Sequence, residues 1–107
     1  SKGEEYQVKE LIVDVGKELS RQYHLHRSEV WQVIEGTGKV SLDELNNLNV
    51  VSPVDKIIVP GDYLHIPLLK VHKLRNIGKT PLRIIEIQRG RYLEEDDIIR
   101  LDRPDGY

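Results

Sequence analysis

Gln22-Tyr23-His24-Leu25-His26-Arg27-Ser28-Glu29-Val30-Trp31 (QYHLHRSEVW) is the stretch on which the fold turns. Gly16 lies ahead of it and Gly36 beyond it, so turn-forming residues bracket the run on both sides. Gln22 and His24 are two positions apart, a spacing that puts both on one face of a strand. A second stretch has the same character: Gly61, Pro67, His72 and Asn76. Gln22, His24, Glu29 and His72 together offer nitrogen and oxygen donors. Such a mixed set suits Zn, Mn, Fe, Co or Ni and leaves positions open for a ligand. Glu29 and His72 must reach the ion from neighbouring strands. In a second register His24 and His26 both donate imidazoles and Gln22 stands aside.

Outward from these stretches, apolar residues recur mostly at period two or in short β-branched runs. Strands are expected over 8–15, 19–26, 30–34, 39–42, 56–59, 63–66, 71–77 and 82–88. Gly16-Lys17, Gly36-Thr37-Gly38, Pro60-Gly61-Asp62 and the Gly78-Lys79-Thr80-Pro81 turn separate them. Eight or nine short strands imply an all-β sandwich or barrel. The segment 94–101 (EEDDIIRL) reads as a last strand, and 43–53, with three asparagines and a proline, as a surface loop or a lid over the barrel mouth. At 107 residues and 38% hydrophobic content, one domain with a modest core is expected over 1–107. The absence of cysteine excludes disulfides and thiolate metal sites. A net charge of −2, spread in both signs, offers no basic face for nucleic acid. No apolar run approaches membrane length and no signal peptide is visible, which favours a cytoplasmic protein.

The pattern resembles the two-part signature of the cupin superfamily, and within it the cupin domain of type II mannose-6-phosphate isomerases. That domain also occurs fused behind mannose-1-phosphate guanylyltransferases. The matching text is Leu19-Ser20, Gln22 to Trp31, His65-Ile66-Pro67-Leu68, His72 to Asn76 (HKLRN), Gly78 to Leu82, Ile85 to Gly90 (IEIQRG), Tyr92-Leu93 and Glu95 to Arg100 (EDDIIR). The resemblance implies a cupin double-stranded β-helix, or jelly-roll barrel. It also favours the register of Gln22, His24, Glu29 and His72 as ligands of a divalent metal, zinc first. The second half-motif departs from the family pattern: Pro-Leu-Gly-x-Lys-His becomes Pro67-Leu68-Leu69-Lys70-Val71-His72.

In the favoured register, strand alternation would point His26 into the barrel. There it would serve as a further ligand or a proton carrier, its imidazole kept neutral beside the cation. Glu86 and Gln88 share a strand face, so Glu86 either lines a polar cavity as an acid/base group or faces solvent. Arg27, Lys70, Lys73, Arg89, Arg91 and Arg100 are the candidate cations for a phosphate. Lys70, on the segment that delivers His72, and Arg91, just past a strand end, lead that set. Gln88 joins them as a candidate substrate contact. Trp31 follows Glu29 at period two, as a cavity wall or as core. The resemblance implies a metal-dependent isomerase of mannose 6-phosphate and fructose 6-phosphate, with His26, Glu86 and Lys70 as catalytic groups. The alternative is a non-catalytic metal- and sugar-binding module, an accessory domain of a guanylyltransferase. The expected partners are a small sugar phosphate and a second copy of the chain, because low apolar content suits a dimer.

Overall fold

The computed structural model describes residues 5–43, 54–91, 93 and 97–101. The loop expected at 43–53 lies outside the described residues except for Asp43, which ends a strand and is buried. Nine strands occur in the order β1 (Glu5–Val13), β2 (Gln22–His24), β3 (Arg27–Glu35), β4 (Gly38–Asp43), β5 (Val54–Ile58), β6 (Tyr63–Ile66), β7 (Val71–Asn76), β8 (Leu82–Gly90) and β9 (Ile98–Arg100). No helix among the described residues is long and apolar enough to cross a membrane. The expected strands are all present with shifted ends. The second, expected over 19–26, runs only Gln22–His24 and so stops short of His26.

The strands form two antiparallel sheets, β1-β8-β3-β6 and β5-β4-β7-β2-β9. Burial in β3 and β8 alternates at period two, so the first sheet offers one face to the interior. Val13, Trp31, Val33, Leu64, Ile66, Leu82 and Ile84 from the first sheet meet Val40, Ile58 and Leu74 from the second, forming one apolar core. This is the cupin double-stranded β-helix, all-β as expected.

Two turns fix its ends. Gly36 turns the chain from β3 to β4 at φ 91°, and a Cβ there would lie 2.6 Å from the Pro81 carbonyl oxygen, so only glycine fits. Asn76 is buried at the end of β7. Its amide donates to the Val13 and Thr80 carbonyls at 2.9 Å each, and its oxygen accepts the Gly78 N–H at 2.9 Å. These bonds satisfy a buried polar group and pin the turn into β8.

The interior changes character along the strands. Inward positions of β3 run Arg27, Glu29, Trp31, Val33, and across the sheet Gln88 pairs with Glu29, Glu86 with Trp31 and Ile84 with Val33. One end is therefore apolar and the other polar. On the opposite sheet His72 lies in register with Gln22 and Leu42, facing the polar end.

Candidate metal centre

Three central strands deliver the cluster: His24 from the end of β2, Glu29 from β3 and His72 from β7. All three are buried, and each offers one ligand atom within 4.8 Å of the others. Gln22 lines the same cavity; its Nε2 donates to the Ser20 carbonyl at 3.2 Å, which leaves the side-chain oxygen as the donor toward a metal. The cavity measures about 210 Å³, and Lys9, Arg27, Glu86, Ile98 and Arg100 line it too.

Each ligand is oriented by a neighbour. Trp31 Nε1 donates to Glu29 Oε1 at 2.9 Å, and Arg27 Nε donates to Glu29 Oε2 at 3.0 Å. His72 Nδ1 lies 3.0 Å from the Lys70 carbonyl oxygen. A carbonyl only accepts, so that nitrogen carries the proton and Nε2 keeps the lone pair. His24 Nε2 sits 3.2 Å from Glu29 Oε2, while its buried Nδ1 has no hydrogen-bond partner. Arg27 Nη1, which also lines the cavity, is buried and unpartnered as well. Orphaned buried polar atoms around two imidazoles and a carboxylate fit a group held in the cavity, and the donor set fits a divalent transition metal.

The electrostatics agree. Burial, then the charges of Arg27, His72 and Arg100, push His24 down to about 3. Burial also lowers His72, against the opposing Lys70 carbonyl and Glu86 charge. Both imidazoles are thus neutral, the form that ligates. Glu86 is pushed the other way, up to about 7, first by burial and then by the charge of Glu29. Gln88, buried beside it, donates a short hydrogen bond to its Oε1.

One expectation needs correcting, and three other candidates lie away from the cavity lining. His26 does not enter the barrel. Strand pairing ends at His24, and the buried Asp97 accepts the backbone N–H of Leu25 at 3.2 Å and of His26 at 3.1 Å, so both residues turn outward. The His26 ring follows, with Nδ1 2.8 Å from Asp97 Oδ1 and 57% of the side chain exposed. Lys70 contributes its carbonyl to His72, and its side chain is not among those lining the cavity. Gln88 holds Glu86 and lines no part of the cavity. Arg91 lies at a separate pocket with His26. Among the described residues, the cations that reach the cavity are Lys9, Arg27 and Arg100. Arg27 shares the parity of Glu29 and Trp31, a signal the sequence already carried; Asp97 and Lys9 gave no such signal.

The family described as "Mannose-6-phosphate isomerase C-terminal" matches residues 1–103. The chain is 44% identical over 101 residues to a putative mannose-1-phosphate guanylyltransferase of Vibrio cholerae, covering 94% of this chain and 20% of that one. It is 45% identical over 100 residues to the alginate biosynthesis protein AlgA of Pseudomonas putida (94% and 19%), and 43% identical over 98 residues to the mannose-1-phosphate guanylyltransferase of Escherichia coli K12 (92% and 19%). The chain thus spans about a fifth of the length of these curated relatives. Among solved structures, an oxalate decarboxylase of Lactobacillus farciminis aligns with TM-score 0.75 at 21% identity, over 90% of this chain and 26% of that one. A recombinant oxalate oxidase aligns with TM-score 0.73 at 18% identity, over 89% and 45%. At such identities the likeness is one of fold. With a family match over nearly its whole length, the chain belongs to the mannose-6-phosphate isomerase C-terminal family.

Proposed function

We propose that residues 1–107 work as one metal-holding, sugar-phosphate-binding cupin module, of the kind joined to mannose-1-phosphate guanylyltransferases. The observation that carries this reading is the juxtaposition of His24, Glu29 and His72 within 4.8 Å, in a cavity that Lys9, Arg27 and Arg100 also line. A divalent ion held by these three, with Gln22 beside them, supplies a Lewis acid for sugar oxygens; zinc is the first choice, then Mn, Fe, Co or Ni. The three cations neutralise a phosphate group, with Arg100 and Lys9 at the rim and Arg27 deeper. Handling of hexose phosphates suits a cytoplasmic protein. Tyr6, Val8, Ile12 and Ile87 leave an apolar outer face on β1 and β8, which suits pairing of two copies; light scattering that finds only monomer at micromolar concentration would remove that part.

One observation favours a second reading, aldose–ketose isomerisation. Glu86 lines the same cavity and, at a pKa of about 7, can take and return a proton at neutral pH. Calorimetry of the metal-replete chain with mannose 6-phosphate, run beside an NMR assay for fructose 6-phosphate, separates the readings. Saturable binding without turnover supports the module. Turnover that EDTA and Glu86→Gln both abolish supports the isomerase. No binding in the presence of any of the five metals sinks both.

A further inference from the structure

Strand alternation puts Arg27 and Glu29 on one inward face of β3, two positions apart. Gly90 fixes the base of Arg27, because β8 packs so close there that a Cβ would lie 2.8 Å from Arg27 Cα. From that start the side chain runs into the metal cavity and is buried with it. Other neighbours hold the ligand groups from behind. Trp31 Nε1 donates to Glu29 Oε1, and the Lys70 carbonyl accepts from His72 Nδ1, each leaving another atom of the group for an ion.

Arg27 differs from both. Its Nε donates to Glu29 Oε2 at 3.0 Å, and its Nη2 lies 3.5 Å from His24 Nε2. A guanidinium only donates, so both contacts draw on lone pairs that would ligate an ion. Those two acceptor atoms are themselves 3.2 Å apart. Metal bonds of about 2.1 Å at a tetrahedral angle set two ligand atoms roughly 3.4 Å apart, so one ion suits the same pair. A divalent ion and a guanidinium side by side also repel, and salt screens that repulsion little in a buried site. Nor is the guanidinium fully satisfied where it is, since its buried Nη1 has no hydrogen-bond partner. Glu86, a second buried carboxylate on the cavity, lies within electrostatic reach of it.

We propose that Arg27 competes with the metal: its guanidinium holds Glu29 Oε2 and His24 Nε2 until an ion takes them, and loading turns it toward Glu86. Arg27 thereby sets the metal affinity of the site, as one cation exchanged for another. The inference rests on the metal reading of this cavity. Its sign is opposite to that of a residue that merely orients a ligand, whose loss weakens metal binding about 10–100-fold. The test is calorimetric titration of the full chain with Zn²⁺ against a competing chelator. Arg27→Gln should bind Zn²⁺ about tenfold or more tighter than the parent, because the ion no longer has to break a charge-assisted bond. Arg100→Gln, which removes a charge from the same cavity and leaves the Arg27 contacts in place, should gain less. The parent itself supplies a second readout, in case Arg27→Gln does not fold. Its Arg27 Nε–H, buried on Glu29, should exchange slowly with solvent and lose that protection as Zn²⁺ saturates the site. Equal or weaker binding by Arg27→Gln, the same gain in both variants, or an Nε–H still protected at saturation would each overturn the proposal while leaving the metal reading intact. Absence of Zn²⁺ binding by the parent and by both variants would instead sink the metal reading, and this inference with it.

Discussion

Leu69 is the one described residue other than glycine with positive φ, at 64°. It sits third in a four-residue turn closed by the Lys70 N–H on the Pro67 carbonyl at 3.2 Å. Positive φ at that position is the type II pattern, which calls for glycine or asparagine. A left-handed conformation costs an L-residue about 1–2 kcal/mol. Glycine relieves that cost but adds about 0.5–1 kcal/mol of unfolded-chain entropy. Leu69→Gly alone is ambiguous, because the partly exposed leucine also makes some apolar contact. The informative comparison is Leu69→Gly against Leu69→Ala, since both lose the side chain and only alanine retains Cβ. Glycine should be the more stable of the two by roughly 0.5–1 kcal/mol, a few degrees in Tm. At an ordinary site the sign is opposite. Urea and thermal unfolding of both variants measure the difference, and alanine equal to or above glycine would refute the assignment of strain to this turn.

Other consequences follow from the metal cavity. Arg27→Gln leaves the buried Glu29 carboxylate without its guanidinium and should cost about 3–5 kcal/mol in EDTA; a loss under about 1 kcal/mol by urea unfolding would mean that the pair matters little. Trp31, the only tryptophan, bonds Glu29 and lies 5.7 Å from the His72 ring, so Co²⁺ or Ni²⁺ should quench its fluorescence saturably, and His72→Ala should abolish the effect. With chelator present, His24 and His72, whose pKa values fall from 6.5 on folding, give stability that is full above pH 6.5 and lost as pH drops below it, for His24 down to about 3, by up to about 1.4 kcal/mol per pH unit for each. Glu86 has the reverse sign: its contribution is full below 4.5 and lost as pH rises through about 7, so Glu86→Gln should be more stable than the parent at pH 8, and urea midpoints at pH 5 and 8 check both slopes.

The candidate cluster was legible in part from strand parity and in part from the resemblance to the cupin signature, which chose its register over that of His24 with His26. Gln22 and His24 share parity, and Glu29 and His72 fall at fixed distances from turns that the glycines announce. The same rule read Glu86 and Gln88 correctly as one face, and period two from Arg27 through Glu29 to Trp31 would have chosen Arg27 from the six candidate cations. Strand ends were less legible, since β2 and β9 have three residues each and little pattern to read.

His26 marks where such reasoning stops. Alternation from His24 puts it inside, and it would be inside if β2 continued. What ends β2 is Asp97, seventy-one residues along the chain, which takes the N–H of His26, and also that of Leu25, before either can join a ladder. Two consecutive residues then face outward and the parity resets at Arg27, so inward positions run 24, 27, 29 in place of 24, 26, 28. A local period cannot register a hydrogen bond made across the whole fold. The reset has a chemical consequence. Without it Ser28 would face inward and Arg27 and Glu29 outward, and the metal cluster would lose its only carboxylate. The acidic residue near the end of the chain therefore decides which side chains of the first half-motif reach the cavity. It does so without touching a metal ligand, through two backbone amides.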